Sequence, residues 1–169
     1  MLIHAPTRDF RDWVSDSRRW AGFQPRAGDI VVATPPKCGT TWTQRIVGML
    51  LRQSAAPYPV METQPWIDQR IRPIADVLAM LAAQPGRRAV KTHSPLDALP
   101  YFDEMLYIHV TRDPRDACMS YHNHVTAYTP LARTLMDQAG MADATIGRCL
   151  PVTSADPGDF FRAFMGVPG

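Results

Sequence analysis

The sequence predicts an α/β fold, a three-layer sandwich around a mainly parallel sheet. Three observations lead there. Between residues 29 and 127, short apolar runs alternate with segments of helical period. A proline or a small-residue turn follows each apolar run, and no internal repeat or low-complexity tract interrupts the alternation. The chain has 169 residues, 46% of them hydrophobic, which suits a single domain with a real core over 1–169.

Residues 29–34 (DIVVAT) read as a buried strand, because Ile30 to Ala33 are all apolar. Residues 40–53 read as a helix: Trp42, Ile46, Met49 and Leu50 recur at helical spacing, with Thr40 or Thr41 as the cap. Pro57, Pro59, Pro65 and Pro73 make 55–73 a loop. Residues 74–83 form a second helix, ended by Pro85 and Gly86, and 88–92 (RAVKT) a second strand. Residues 105–111 (MLYIHVT) form a third strand, and 114–127 a helix with Asp113 as N-cap and Pro114 at its first position. The tail changes character: 129–159 holds three prolines and little periodicity, and only 159–166 (DFFRAFMG) promises another short helix.

A net charge of +2 and a pI near 8.6 describe a mildly basic surface, too weak to argue for nucleic acid. Cys38, Cys118 and Cys149 are odd in number and widely spaced, so they suggest neither a zinc site nor a disulfide framework, and a reducing cytoplasm fits. The stretch MLIHAPTRDFRDW places charges where a signal peptide needs an apolar run, and no segment approaches the roughly 18–20 apolar residues of a membrane span. The expectation is a cytoplasmic protein with no membrane partner.

Three motifs carry chemistry. The first strand runs through Pro35-Pro36 into Lys37-Cys38-Gly39-Thr40-Thr41-Trp42 and then a helix. A strand that turns through small residues into a helix exposes consecutive backbone N–H groups and the positive end of the helix dipole, which together hold an anion such as phosphate. Lys37 adds a full charge, Gly39 permits close approach, and the threonines add hydroxyls. The lysine precedes the glycine, so this is a shorter loop than the GxxxxGK[ST] of nucleotide triphosphatases, and no acidic magnesium ligand accompanies it. The second motif, Val90-Lys91-Thr92-His93-Ser94-Pro95, lies at a strand end, where parallel sheets collect ligands and where a histidine serves as a general base. In the third, Thr111 to Tyr121 (TRDPRDACMSY), Arg112 ends the third strand and Ser120 lies two helical turns on, a pair suited to a second phosphate. His122 and His124 have no matching ligand set and read as helix surface.

Together TPPKCGTTW (34–42), KTHSP (91–95) and TRDPRDACMSY (111–121), in this order and spacing, resemble the cytosolic-type sulfotransferases. The resemblance spans roughly residues 20–128, with a fainter echo at 160–169. It implies a P-loop-hydrolase-like sandwich and 3′-phosphoadenosine 5′-phosphosulfate (PAPS) as co-substrate, without a metal. It also implies roles. Lys37 contacts the bridging oxygen; Cys38, Gly39, Thr40 and Thr41 belong to the loop that cradles the 5′-phosphosulfate; Trp42 packs on adenine. Arg112 and Ser120 hold the 3′-phosphate. His93 takes the proton of an acceptor hydroxyl or amine, and Lys91 stabilises the transition state. Trp66, Tyr101, Phe102 and Tyr128 are candidate walls of an apolar acceptor cleft. Cys38 stands where many members have serine.

The family domain continues past residue 169 with a further strand and a basic closing loop, and 129–169 contains no Arg-Lys-Gly run, so the sequence reads as the N-terminal two-thirds of such a domain. Three other readings stand beside the enzyme. They are a non-catalytic nucleotide-binding remnant, a small P-loop kinase, and a module or homo-oligomer that associates through an unfinished sheet edge.

Overall fold

The computed structural model describes residues 1–166. Along the chain lie β1 (Leu2–His4), a 3-10 helix (Ser17–Gly22), β2 (Ile30–Ala33), α1 (Thr40–Arg52), α2 (Val60–Thr63), α3 (Ile74–Ala82) and β3 (Ala89–Thr92). A 3-10 turn (Leu96–Ala98), β4 (Tyr101–Phe102), β5 (Leu106–His109), α4 (Pro114–Thr126), α5 (Pro130–Met141) and α6 (Pro157–Phe164) follow. The three predicted strands form one parallel sheet in the order β3-β2-β5. The short β1 and β4 pair antiparallel in a separate ribbon.

Strand periodicity divides the sheet residues between two cores. Val31, Ala33 and Val90 face a layer containing Trp20, Phe23, Ile67, Leu99 and Met105 together with Val77 and Leu81 of α3. Ile30, Val32 and Ala89 face α1 through Val47. This is the expected α/β sandwich with helices on both faces. The central strand β2 is buried throughout, as is β3, whereas β5 is exposed at Leu106 and His109.

Several sequence expectations need correction. The third strand ends at His109 rather than at residue 111, which leaves Arg112 in the loop before α4. Gly39, in the left-handed region at φ 92°, takes the N-cap position of α1, and neither Thr40 nor Thr41 does. The apolar stripe of α1 is not its buried face: Trp42, Ile46 and Leu50 are exposed, while Thr40, Gln44, Val47 and Gly48 are buried. Gln44 and Gln64 exchange amide-to-carbonyl hydrogen bonds of 2.8 Å, which satisfies both Nε2 groups and leaves the two buried Oε1 atoms without a partner. His122 is also buried, under Phe160 of α6 at a ring distance of 5.0 Å, with its Nε2 3.0 Å from Ser154 O. Residues 129–159 are not irregular throughout. Thr129 caps α5, accepting from Ala132 N, and Pro130 occupies the first helical position. That is the start signal already read at Asp113-Pro114, whose cap accepts from Arg115 N at 2.9 Å.

The edge of the sheet opposite the strand C-termini is closed by a buried ion pair. Asp29, just before β2, and Arg88, just before β3, are 1% and 4% exposed. Arg88 Nε and Nη2 both donate to the Asp29 carboxylate, which also accepts from the backbone N–H groups of Arg26 and Arg88. The spare guanidinium N–H groups reach Gln24 O at 2.8 Å and Leu81 O at 3.3 Å. Every charge is therefore paired, and removing one leaves the other buried alone. Asp29→Ala is expected to lose about 3–5 kcal/mol of unfolding free energy, read as a lowered midpoint in urea.

Candidate active site

Parallel pairing in register puts Ala33 level with Thr92 and with His109, so the loops after all three strands open on one edge of the sheet. A cleft of about 820 Å³ lies there. It is lined by Lys37, Gly39, Thr40, Thr41, Trp42, Lys91, His93, Arg112 and Ser120, all of them site residues expected from sequence. Cys38 is separate: its side chain is buried behind the loop, beside Pro35, Thr111 and Phe164, and its N–H donates to Pro35 O at 3.3 Å.

The loop before α1 is shaped for an anion. Lys37 adopts φ 65° and Gly39 φ 92°, two left-handed residues that turn the chain sharply at the tip. A Cβ placed on Gly39 would meet nothing within 4 Å, so the space above it is open. No side chain caps α1, and its hydrogen-bond ladder starts with Thr43 N donating to Gly39 O. The first N–H groups of the helix therefore have no intrahelical partner, and Gly39, Thr40 and Thr41, which carry them, line the cleft. Thr40 shares a hydrogen bond with the hydroxyl of Thr34, which ties the helix start to the end of β2. Arg112 crosses the mouth of the loop, with Nη1 3.5 Å from Lys37 O and Nη2 3.7 Å from Asp116. Trp42 is 81% exposed, its ring open at the rim.

The second wall comes from β3. His93 Nδ1 lies 2.7 Å from Thr34 O. A carbonyl only accepts, so Nδ1 carries the proton and Nε2 keeps a lone pair. Burial, with the nearby charges of Lys91, His124 and Lys37, holds the pKa of His93 at about 4, against a weaker upward pull from its bond to Thr34. The ring is neutral at physiological pH, ready to accept a proton. Trp66 stands between the two catalytic candidates. Its ring meets His93 edge-on at 4.7 Å, and Lys91 Nζ lies 4.5 Å from its centroid. Burial lowers the pKa of Lys91, and the charge of Asp68 opposes that shift.

Sequence reasoning missed the residue that organises this wall. Asp68, 0% exposed, accepts from Trp66 Nε1, from Thr92 Oγ1 and, at 2.5 Å, from Ser94 Oγ. It thus fixes the indole and the residues on both sides of His93. Asp68 sits in the proline-broken stretch read as loop, where no local pattern marks it. Trp66 and Tyr128 line the cleft as expected of acceptor walls, whereas Tyr101 and Phe102 lie in β4 away from it. Met61 of α2 and Ala132 and Met136 of α5, from segments read as irregular, add apolar lining. Among the described residues no three of His, Cys, Asp and Glu gather as a metal site requires, and no helix is long and apolar enough to cross a membrane.

Comparison with known proteins fits this geometry. A model of the sulfotransferase domain matches residues 27–166. The chain belongs to the sulfotransferase family. Over 112 residues it is 48% identical to a glycolipid sulfotransferase of Mycobacterium tuberculosis, covering 66% of this chain and 34% of that protein. Over 108 residues it is 30% identical to sulfotransferase 1A1 of Canis lupus familiaris, covering 60% of this chain and 37% of that one. The chain thus spans about a third of the length of the curated relatives it matches. The sulfotransferase fold also recurs in retinol dehydratase solved with androsterone and the inactive cofactor PAP, with TM-score 0.52 and 20% identity over 81% of this chain and 53% of that one.

Two outcomes are expected from these contacts. Because the pKa of His93 is about 4 in the folded chain and near 6.5 when unfolded, the unfolded state binds the extra proton between those values. Stability therefore falls as pH drops from 6.5 to 4, by up to about 3 kcal/mol from this residue. His93→Asn, which keeps a donor for Thr34 O, should flatten that part of the pH–stability curve in urea titrations. Asp68→Ala strands three donors and should lose about 2 kcal/mol or more, even after the cost of burying a carboxylate is removed.

Proposed function

We propose that this chain carries the donor-binding part of a sulfotransferase site and transfers a sulfuryl group from PAPS to a hydroxyl or amine of a small acceptor. One observation carries the reading: an uncapped helix N-terminus under a Lys37-tipped loop shares a single cleft with neutral His93 and with Lys91. The residues fit the nucleotide. The N–H groups at the start of α1 and the open space over Gly39 would hold the 5′-phosphate, Arg112 and Ser120 the 3′-phosphate, and the exposed ring of Trp42 the adenine. When bound, PAPS supplies the sulfuryl group and a phosphate leaving group.

The rest is the work of side chains. Lys37 donates to the oxygen on which charge develops, and Lys91 adds positive charge from the Trp66 side. His93 takes the acceptor proton on Nε2, worth on the order of 10²–10⁴-fold in rate. Trp66 and Tyr128 form apolar walls that orient the acceptor. The similarity to the mycobacterial glycolipid sulfotransferase makes a glycolipid the first acceptor to try. Free thiols at Cys38, Cys118 and Cys149 suit a reducing cytoplasm. The exposure of Trp42, which leaves one face of a bound nucleotide open, favours one second reading, a nucleotide-binding chain without turnover.

Calorimetric titration with 3′-phosphoadenosine 5′-phosphate separates these readings. The wild-type chain should bind, Lys37→Ala and Arg112→Ala should each weaken binding by about tenfold or more, and His93→Ala should leave it within about twofold. Sulfation of an acceptor by wild-type but not His93→Ala protein then supports the enzyme; binding without turnover supports the second reading, and no binding sinks both.

A further inference from the structure

One side of the cleft is assembled from three segments that are remote in sequence. Phe10 and Val14 come from the N-terminal segment, Ile71 from the loop before α3, and Met136 from α5. The donor chemistry uses none of them, which leaves this apolar end for an acceptor. Hydrophobic packing gives α5 little hold there. The helix rests on loops and packs on no strand or other helix to any extent. Its buried residues are Met136, which lines the cleft, and Gly140, whose missing Cβ would come within 2.5 Å of the Trp13 indole. Leu131 and Met141 of the same helix are exposed.

One buried acid joins the three segments. Asp143, just past α5, has a side chain 3% exposed and pairs with two guanidinium groups. Arg11 Nη1 lies 3.4 Å from its Oδ1, and Arg70 Nη1 lies 3.1 Å from its Oδ2. Arg11 follows Phe10 and Arg70 precedes Ile71, so each arginine adjoins a residue of the wall. Arg70 also donates to Asp12 O at 3.0 Å and to Ala139 O at 2.9 Å, which ties the N-terminal segment and the end of α5 to its own loop. Among the described residues no other acid pairs with either arginine. Without the carboxylate, two like charges meet at a part-buried site and repel. Asp143 has a local task as well: its Oδ1 accepts from Thr145 N at 2.8 Å and closes the turn after α5. An asparagine performs that task equally well, so the charge serves the arginines. Asp143 itself does not line the cleft.

We infer that Asp143 is a positioning residue. It holds α5 and the segment 10–14 together as one wall, and it sets how tightly an acceptor is gripped without touching it. The inference rests on the sulfotransferase reading for the name acceptor, but its claims about α5 and about binding are independent of turnover.

The test titrates the full chain, saturated with 3′-phosphoadenosine 5′-phosphate, with 2-naphthol, a small aromatic alcohol followed by its own fluorescence. Asp143→Asn keeps the turn acceptor and removes the charge. Arg11→Gln is the second variant and carries the test if the first does not fold; circular dichroism melting checks both. The expected result is naphthol binding weakened about fivefold or more, with nucleotide affinity unchanged within about twofold. Hydrogen exchange of the α5 amides should speed by a similar factor while those of β2 and β3 keep their rates. Where 2-naphthol is sulfated, its KM rises and kcat stays within about twofold. Unchanged naphthol affinity in a folded variant overturns the inference, as does unaltered exchange in α5. An equal loss of naphthol and nucleotide affinity marks general loosening and overturns it too, and so does a wild-type chain that binds no naphthol. If the nucleotide fails to bind, the donor-site reading falls by itself, and naphthol is titrated without it and read by the same criteria.

Discussion

Ala33 stands level with Thr92 on one side and with His109 on the other, and the chemistry of this molecule depends on that register. Parallel strands paired without offset must end together. The loops that leave them are far apart in sequence, yet they deliver Lys37, His93 and Arg112 to one cleft. A one-residue slip would turn Lys91 from the cleft side to the opposite core and would carry His93 away from Thr34 O. The buried Asp29–Arg88 pair sits at the other end of the same two strands, immediately before each begins. It is the polar pin that makes such a slip costly, because each misregistered pairing strands a charge in the interior.

At the reactive end the fold uses desolvation in the opposite sense. Asp29 and Arg88 are buried with their charges matched, whereas buried Lys91 and half-buried His93 form no ion pair among the described residues. The nearest acid, Asp68, is committed to Trp66, Thr92 and Ser94, and its own pKa is raised by burial. The outcome is a histidine held neutral and a lysine that lies over the Trp66 ring, with the Asp68 charge acting on it but no salt bridge between them. Both conditions leave the groups free to respond to a substrate rather than to the protein.

Legibility from sequence followed the range of the physical signal. β2 and α4 were readable because local patterns suffice: four consecutive apolar residues in the first, an Asp-Pro start in the second. The three site motifs were readable because each is contiguous and lies at a strand end. α5 escaped because its exposed Leu131 and Met141 blur the periodicity of its buried Met136 and Gly140, although Thr129-Pro130 carried the start signal. α1 misleads in a different way. Its visible apolar stripe faces outward and its buried face holds Gln44, whose Nε2 finds its acceptor in Gln64 O, twenty residues on. Asp68 was invisible for the same reason. A lone acid in a loop gains meaning only from partners that tertiary structure brings to it.

Lys37 sits at φ 65°, in a backbone region that costs an ordinary side chain roughly 1–2 kcal/mol and a glycine almost nothing. Glycine would return only part of that gain through its freer unfolded chain, about 0.4–1 kcal/mol. On stability alone glycine would suit this position better, and the proposed role of Lys37 at the donor is the one reason on this structure for a lysine there. If that role holds, the tip of the loop sets local strain against function, and the packing of the rest of the domain carries the surplus stability that a strained lysine requires.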